Sequence, residues 1–357
     1  MQQSLETFTA VLSAEQFADT VIQWQKQHGR NDLPWQTDAD PYHVLVSELM
    51  LQQTQVSTVI PYFQRWLSRF PTVQQLAAAS TDEVMALWQG LGYYSRARNL
   101  HRAAQQICRD YHGNIPSEAN ELREIAGIGA YTAGAIRAFA YDRDGVIVDG
   151  NVKRLFSRFF AIAGDLSTSA QQRLLWQLAE HYTPSSNNRR YAQGLLDLGA
   201  TICTPRQPQC YNCPLKPNCQ AVKYDRVDEL PQRKTKAAIP TRHGIFLWQV
   251  DQHGVLLEQR PTTGIWPSLW CLPELTADSV SHAEASFSQH GTFKHTFSHY
   301  KLIAQVVTHK PNQPHVAHAS ATAIQRQVQW HELSNIGLPA PIAKYLRQHL
   351  PSPLSNT

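Results

Sequence analysis

Hydrophobic residues recur at helical spacing through most of the chain. In residues 14–29, Phe17, Val21, Ile22 and Trp24 share one face, the pattern of an amphipathic helix. Helical spacing returns over residues 42–67, with a break expected at Pro61, which has no amide hydrogen to give a helix interior. Further helices are predicted over 73–78, 82–90, 95–111, 118–125, 131–140, 151–162, 169–181 and 189–202, joined by short connections marked by Gly and Pro. No strand alternation competes before residue 240, so residues 1–225 are expected to form an all-α domain. Residues 226–240 are polar, basic and bounded by prolines, and read as a linker. Beyond it the pattern changes. Residues 244–250 and 255–259 are strand candidates joined by a turn at Asp251-Gln252-His253-Gly254, and 293–297 with 300–308 form a second pair. With helices expected at 281–289 and 339–349, residues 241–357 read as an α+β domain.

The length of 357 residues suits two or three domains, and a hydrophobic fraction of 42% supports buried cores rather than general disorder. No apolar run approaches the ~20 residues of a membrane span. Residues 1–10 lack the basic start and apolar stretch of a secretory signal, so a cytoplasmic location is expected. The net charge of 32 − 28 = +4 is uneven. Residues 1–230 carry 21 Lys and Arg against 22 Asp and Glu, whereas residues 231–357 carry 11 against 6 and hold 11 of the 16 His. A mild basic excess permits nucleic-acid binding without arguing for it.

The cysteines change that picture. Cys203, Cys210, Cys213 and Cys219 fall within 17 residues as C-x6-C-x2-C-x5-C. In a reducing compartment such clustering favours a metal site over disulfides. Four thiolates suit a zinc ion, although only one C-x2-C knuckle is present, or an iron–sulfur cluster. Cys108 and Cys271 are expected to be packed thiols. Residues 122–136 read as helix, tight turn, helix, with Gly127 and Gly129 permitting a left-handed turn and close backbone approach. The second helix would point its first N–H groups outward as a phosphate site, though any αα-hairpin shares this pattern. Asp149 follows the apolar Val146-Ile147-Val148 and precedes a helix with Val152, Leu155, Phe156 and Phe159 inward, the place of an N-cap. Glu48 stands beside Leu49, Met50 and Leu51 on a helix. Exposed, it is an ordinary surface carboxylate; buried, it becomes an acid at neutral pH.

The cysteine spacing resembles that of the endonuclease III superfamily of DNA glycosylases, in which the loop holds a [4Fe–4S] cluster that braces a loop near DNA and takes no part in base excision. The hairpin resembles the superfamily's helix–hairpin–helix, usually L-P-G-x-G, with Ala126 here in the proline's place. In Val148-Asp149-Gly150-Asn151-Val152-Lys153-Arg154 the aspartate holds the superfamily's catalytic position. Three strings are similar to adenine DNA glycosylases of the MutY type: Leu33-Pro34-Trp35-Gln36, Ser47-Glu48-Leu49-Met50-Leu51-Gln52-Gln53-Thr54-Gln55-Val56, and residues 90–100 from Gly90-Leu91-Gly92-Tyr93-Tyr94 onward. Relatives that excise pyrimidines lack the glutamate. The resemblance is dense over residues 15–225 and looser over 240–350, where it points to a nudix-like domain without the G-x5-E-x7-R-E-x2-E-E box that holds Mg²⁺.

The resemblance implies an all-α helix–hairpin–helix glycosylase domain, a [4Fe–4S] loop on Cys203, Cys210, Cys213 and Cys219, and a C-terminal α+β nudix-like domain. It implies hydrolysis of the N-glycosidic bond of adenine mispaired with 8-oxoguanine or guanine in double-stranded DNA, after the base leaves the stack. Glu48 would protonate adenine N7, and Asp149 would stabilise or trap the sugar cation. Tyr131, Asn151 and Gln193 would lie around the flipped nucleotide. Gln53 and Tyr93 would wedge into the stack, and Thr54 would touch the opposite base. Leu33, Trp35, Gly127, Gly129 and Lys153 would be further DNA or base contacts, and Phe297-Ser298-His299 would sense 8-oxoguanine. Arg96 and Arg98 suit phosphate contacts or a solvated helix face. Tyr131 stands where bifunctional relatives carry a nucleophilic lysine, so the abasic site is expected to remain uncut. A monomer without a membrane partner, at the nucleoid of a bacterium, is expected. The competing readings are a pyrimidine-excising glycosylase/lyase, an iron–sulfur DNA-binding protein without catalysis, and a nudix hydrolase.

Overall fold

The computed structural model describes residues 5–232, 238–275, 286–310 and 324–349, and among these no strand precedes residue 241. The helices are α1 Leu5–Thr9, α2 Ala14–His28, α3 Pro41–Leu51, α4 Val56–Arg69, α5 Val73–Ala78, α6 Thr81–Leu87, α7 Ser95–Asp110, α8 Ala119–Glu124, α9 Ala130–Phe139, α10 Gly150–Phe159, α11 Ser169–Tyr182, α12 Asn188–Asp197, α13 Gln220–Lys223 and α14 Ala340–His349. The chain divides into two compact units, Met1–Ala77 with Arg102–Thr235, and Ala78–His101 with Lys236–Thr357. The first boundary thus falls at α5 and the second inside α7. A helical segment from the first third of the chain belongs with the strands, and residues 233–237 of the expected linker lie outside the described residues.

In the first unit, the apolar face of α2 packs on α10 to α12. Phe17 is fully buried, with ring centroids 5.9, 5.0 and 4.9 Å from Phe156, Phe159 and Tyr182. Truncating a ring held this way costs about 3–5 kcal/mol. The break expected at Pro61 occurs instead at residues 52–55, where Gln53 takes a left-handed φ of 56°. Pro61 lies inside α4. Its missing hydrogen bond, worth about 3 kcal/mol in a helix interior, is offset by burial of Val59, Phe63 and Trp66, at about 1.5–3 kcal/mol each.

The second unit holds two sheets. Strands β1 Thr241–Leu247, β4 Glu274–Leu275, β5 Phe287–Thr296 and β6 Lys301–His309 form one in the order β4-β1-β6-β5, parallel only between β1 and β6. Strands β2 Gly254–Gln259, β3 Trp270–Cys271 and β7 Gln325–Gln329 form the other, in the antiparallel order β3-β2-β7. The helix expected at 281–289 is not observed where it can be seen. Residues 281–285 lie outside the described residues, and 287–289 open β5, paired to β6 at Phe287–His309. The ladder with β6 overrides the local preference. Strands β3 and β4 are two residues long, and in β7 only Val328 is buried, so neither length nor alternation marked them in the sequence.

Candidate active site

Asp40 starts α3 by accepting from the amides of Tyr42 and His43 at 2.7 and 3.3 Å, with Pro41 in the first turn. From Tyr42 to Met50 every residue but His43 is buried, Val44, Leu45, Val46, Leu49 and Met50 among them. A carboxyl set among such residues loses most of its water. Glu48 is 5% exposed, and burial raises its pKa from 4.5 to about 7. The Tyr131 hydroxyl opposes this by donating to the carboxylate, while the Asp149 charge adds to it. Burial together with the charges of Glu48 and Asp149 pushes Tyr131 well above its ordinary value, so it stays a neutral donor.

Asp149 caps α10. Its Oδ1 accepts from the amides of Asn151 and Val152, both at 2.8 Å, and its Oδ2 from the Asn151 side chain at 2.9 Å. Burial raises its pKa, opposed by these three donors and by the Arg154 charge. The segment leading into Asp149 runs against α9 at Gly134, where a Cβ would stand 1.9 Å from the Val146 carbonyl. Only glycine permits that approach, which sets the aspartate near the hairpin. The hairpin itself is α8, a turn and α9, pinned from α7 by Gln106, which donates to Glu124 O and accepts from Ala126 N, both at 3.0 Å. Gly127 is left-handed at φ 79°, whereas Gly129 is extended at φ −90° and does not need that freedom. Gly129 is instead the N-cap of α9, without a side-chain cap, and nothing lies within 4 Å of where its Cβ would be. The first amides of α9 therefore meet no side-chain cap.

Glu48 lies where two cavities meet. One, of about 510 Å³, is lined by Leu33, Trp35, Glu48 and Gln193, and its size falls in the roughly 300–1,000 Å³ range of small-molecule sites. The other is a groove bordered by Gln53, Thr54, Tyr131, Asp149 and Asn151, also reaching Glu48. The structure thus gathers these residues. Gly127 and Gly129 lie outside both cavities, as does Lys153, whose Nζ donates to Gln172 at 2.7 Å. Arg30 borders both cavities and was not anticipated. Its backbone N–H and Nε donate to buried Asp197 at 2.8 and 2.7 Å, and Asp197 also accepts from Gln193 at 2.8 Å. The sequence signal was modest: Arg30 lies just before Leu33-Pro34-Trp35, and Asp197 one helical turn after Gln193.

The four cysteines line one small pocket with Leu155, Phe159, Leu215 and Val222, and none forms a disulfide. Cys108 and Cys271 are likewise free thiols. Among the described residues no three His, Cys, Asp or Glu side chains converge on a single ion. Two arginines of α10 fasten the loop. Arg158, buried, donates to Cys203 Sγ at 3.4 Å and to Thr204 O at 2.8 Å. Arg154 donates to Cys203 O at 2.6 Å and to Asn151 Oδ1 at 2.8 Å. A continuous hydrogen-bonded path therefore runs from Asp149 through Asn151 and Arg154 to Cys203.

Tyr93 and residues 297–299 belong to the second unit. Tyr93 is 51% exposed and left-handed at φ 48°. Phe297, half-buried, closes a turn by donating its amide to Tyr300 O at 2.9 Å, and Ser298 and His299 are exposed at its tip. Neither Arg96 nor Arg98 lies on a fully solvated helix face. Arg96 is buried and donates to Leu91 O at 3.3 Å and Gly92 O at 3.1 Å, and Arg98 donates to Pro267 O at 2.6 Å.

The family model of the HhH-GPD superfamily of base excision DNA repair proteins matches residues 46–181, and that of the NUDIX domain matches residues 244–348. A solved thermostable thymine-DNA glycosylase is similar at 26% identity and a TM-score of 0.54, over 59% of this chain and 97% of its own. The hairpin, the capped aspartate and the helical unit around them define a base excision DNA glycosylase. Whole-chain relatives narrow this further. The adenine DNA glycosylase of Buchnera aphidicola subsp. Baizongia pistaciae is 34% identical over 92% of this chain and 95% of its own length, and that of Mus musculus is 33% identical over 96% and 79%. The chain belongs to the adenine DNA glycosylase family and is an enzyme of that class, with a helical glycosylase domain followed by a nudix-like domain.

Proposed function

We propose that the protein removes adenine mispaired with 8-oxoguanine or guanine in duplex DNA and leaves the abasic strand uncut. The observation that carries this reading is Glu48: a buried carboxyl with a pKa of about 7, at the junction of a cavity of about 510 Å³ and a groove that holds Asp149. The adenine leaves the stack, because its N7 and C1′ cannot both be reached within a duplex. Protonated Glu48 gives its proton to N7 as the N-glycosidic bond breaks and the bonding electrons leave with the base. The Asp149 carboxylate faces the cationic sugar carbon, which then takes up water, and the proton released by that water returns to the Glu48 carboxylate. Tyr131 donates to Glu48 and offers no amine for a Schiff base, so strand cleavage does not follow. The uncapped start of α9 and the Gln52–Gln55 corner hold the backbone and the stack, Tyr93 enters the stack, and residues 297–299 read the opposite base.

Cys203, Cys210, Cys213 and Cys219 would hold one [4Fe–4S] cluster. Four free thiols around a common pocket fit it, as does an arginine donating to one sulfur. When bound it supplies structure, tying the loop to α10. The test is single-turnover incubation with A:8-oxoguanine and A:G duplexes at neutral pH. Free adenine should appear with a strand that breaks only after alkali. Release of a pyrimidine, no base release, or strand cleavage at the rate of base loss would overturn the reading.

A further inference from the structure

Residues 78–101 carry Tyr93, yet they pack with the C-terminal strands. Three hydrogen bonds seat them there. Trp270 Nε1 donates to Asp82 at 3.0 Å, Tyr94 OH to Leu338 O at 3.1 Å, and Arg98 Nη1 to Pro267 O at 2.6 Å. The third has the most specific placement. Pro267 lies between Trp266 at φ 50° and Ser268 at φ 62°, two non-glycine residues in the left-handed region. Backbone in that region persists only where its surroundings hold it. Here the Ser268 amide donates to Arg260 O and Pro261 O, the Leu269 amide to Trp266 O, and the carbonyl between the two left-handed residues is taken by Arg98. Within this turn Trp266 faces inward. Its indole is buried, with its ring 5.4 Å from Phe297 and 5.7 Å from His295. Phe297 in turn rests on Tyr300 at 4.8 Å, under Arg242. A line of contacts thus runs from the helix that follows Tyr93, through Arg98, Pro267 and Trp266, to the 297–299 turn.

We propose that Arg98 is a positioning residue that makes the Tyr93 segment and the 297–299 turn one recognition element, so that it sets the preference for 8-oxoguanine over guanine without touching DNA. This rests on the reading of residues 297–299 as the lesion-sensing turn. Arg98→Met keeps the apolar stem and removes the donor, whereas Arg98→Lys keeps one donor. Single-turnover adenine release from A:8-oxoguanine and A:G duplexes is measured for the full-length protein, both Arg98 variants, Phe297→Ala, and Arg98→Met with Phe297→Ala. Loss of one charge-assisted hydrogen bond predicts a fall of about tenfold in the A:8-oxoguanine to A:G ratio for Arg98→Met, with the A:G rate within about twofold of the parent. Arg98→Lys should recover most of the ratio. The double variant should be no worse than Phe297→Ala alone, because both act along one path. An unchanged ratio in Arg98→Met, when Phe297→Ala lowers it, overturns the proposal and spares the turn's role. Independent, multiplying losses in the double variant do the same. Equal losses on both duplexes with a shallower salt dependence mark a phosphate contact and also overturn it. An unchanged ratio in Phe297→Ala removes the turn's role and the proposal with it. Should Arg98→Met melt below the assay temperature, Arg98→Gln, too short to reach the Pro267 carbonyl, takes its place: a lowered ratio with A:G release intact supports the coupling, and an unchanged ratio or an equal loss on both duplexes rejects it.

Discussion

Replacing Glu48 with Gln should stabilise the protein while abolishing its activity, and the stabilisation should depend on pH. The carboxyl is 5% exposed, and burial raises its pKa from 4.5 to about 7. A folded-state pKa above the unfolded value means that the native state holds a proton the unfolded chain would release. The carboxyl therefore costs little below pH 4.5, costs more as pH rises, and reaches its full cost once pH passes about 7. At 1.36 kcal/mol per pH unit, the roughly 2.5-unit difference amounts to about 3 kcal/mol at pH 8 and about 0.8 kcal/mol at pH 5. Gln carries no charge, and its amide oxygen can still accept from Tyr131, so most of that difference should appear as stability. For a unit of 150–250 residues it corresponds to about 6–12 °C in melting temperature at pH 8 and about 2–3 °C at pH 5. Differential scanning calorimetry of the parent and Glu48→Gln at the two pH values measures this directly. In parallel, adenine release by the parent should fall about tenfold per pH unit above about 7, and the variant should release essentially none. A melting difference that does not change with pH would show that Glu48 is not desolvated. Near-parental release by Glu48→Gln would refute its role as the acid.

Asp149→Asn should lose adenine release by at least about a hundredfold while melting within a few degrees of the parent, since asparagine caps a helix about as well as aspartate. Unfolding of the variant by circular dichroism would show that the carboxylate serves the helix rather than the reaction. The purified parent should contain about four iron and four sulfide per chain, and Cys213→Ser should lose them together with the brown colour. One equivalent of zinc in an active, colourless parent would reject the cluster.

Most helices of the first unit were legible in the sequence, because amphipathic spacing records which face of each helix leaves water, and Ser, Asp and Gly mark where each begins and ends. The gathering of the four cysteines around one pocket and the aspartate cap of α10 were equally legible, since both are set within a few residues of chain. The tertiary structure alone decided Glu48. The residues beside it in sequence are apolar in many helices that face solvent on one side, and only the packing around α3 in the folded chain removes the water that would keep the carboxyl ionised. Arg30 and Asp197, 167 positions apart, meet because α2 and α12 pack together. Arg96 and Arg98 read as surface charge because local spacing cannot tell a cation facing solvent from one turned to a carbonyl. For Arg98 that carbonyl lies 169 residues away. The grouping of residues 78–101 with the C-terminal strands follows from the same cause: hydrophobic periodicity reports that a face is buried, and only the folded chain supplies what buries it.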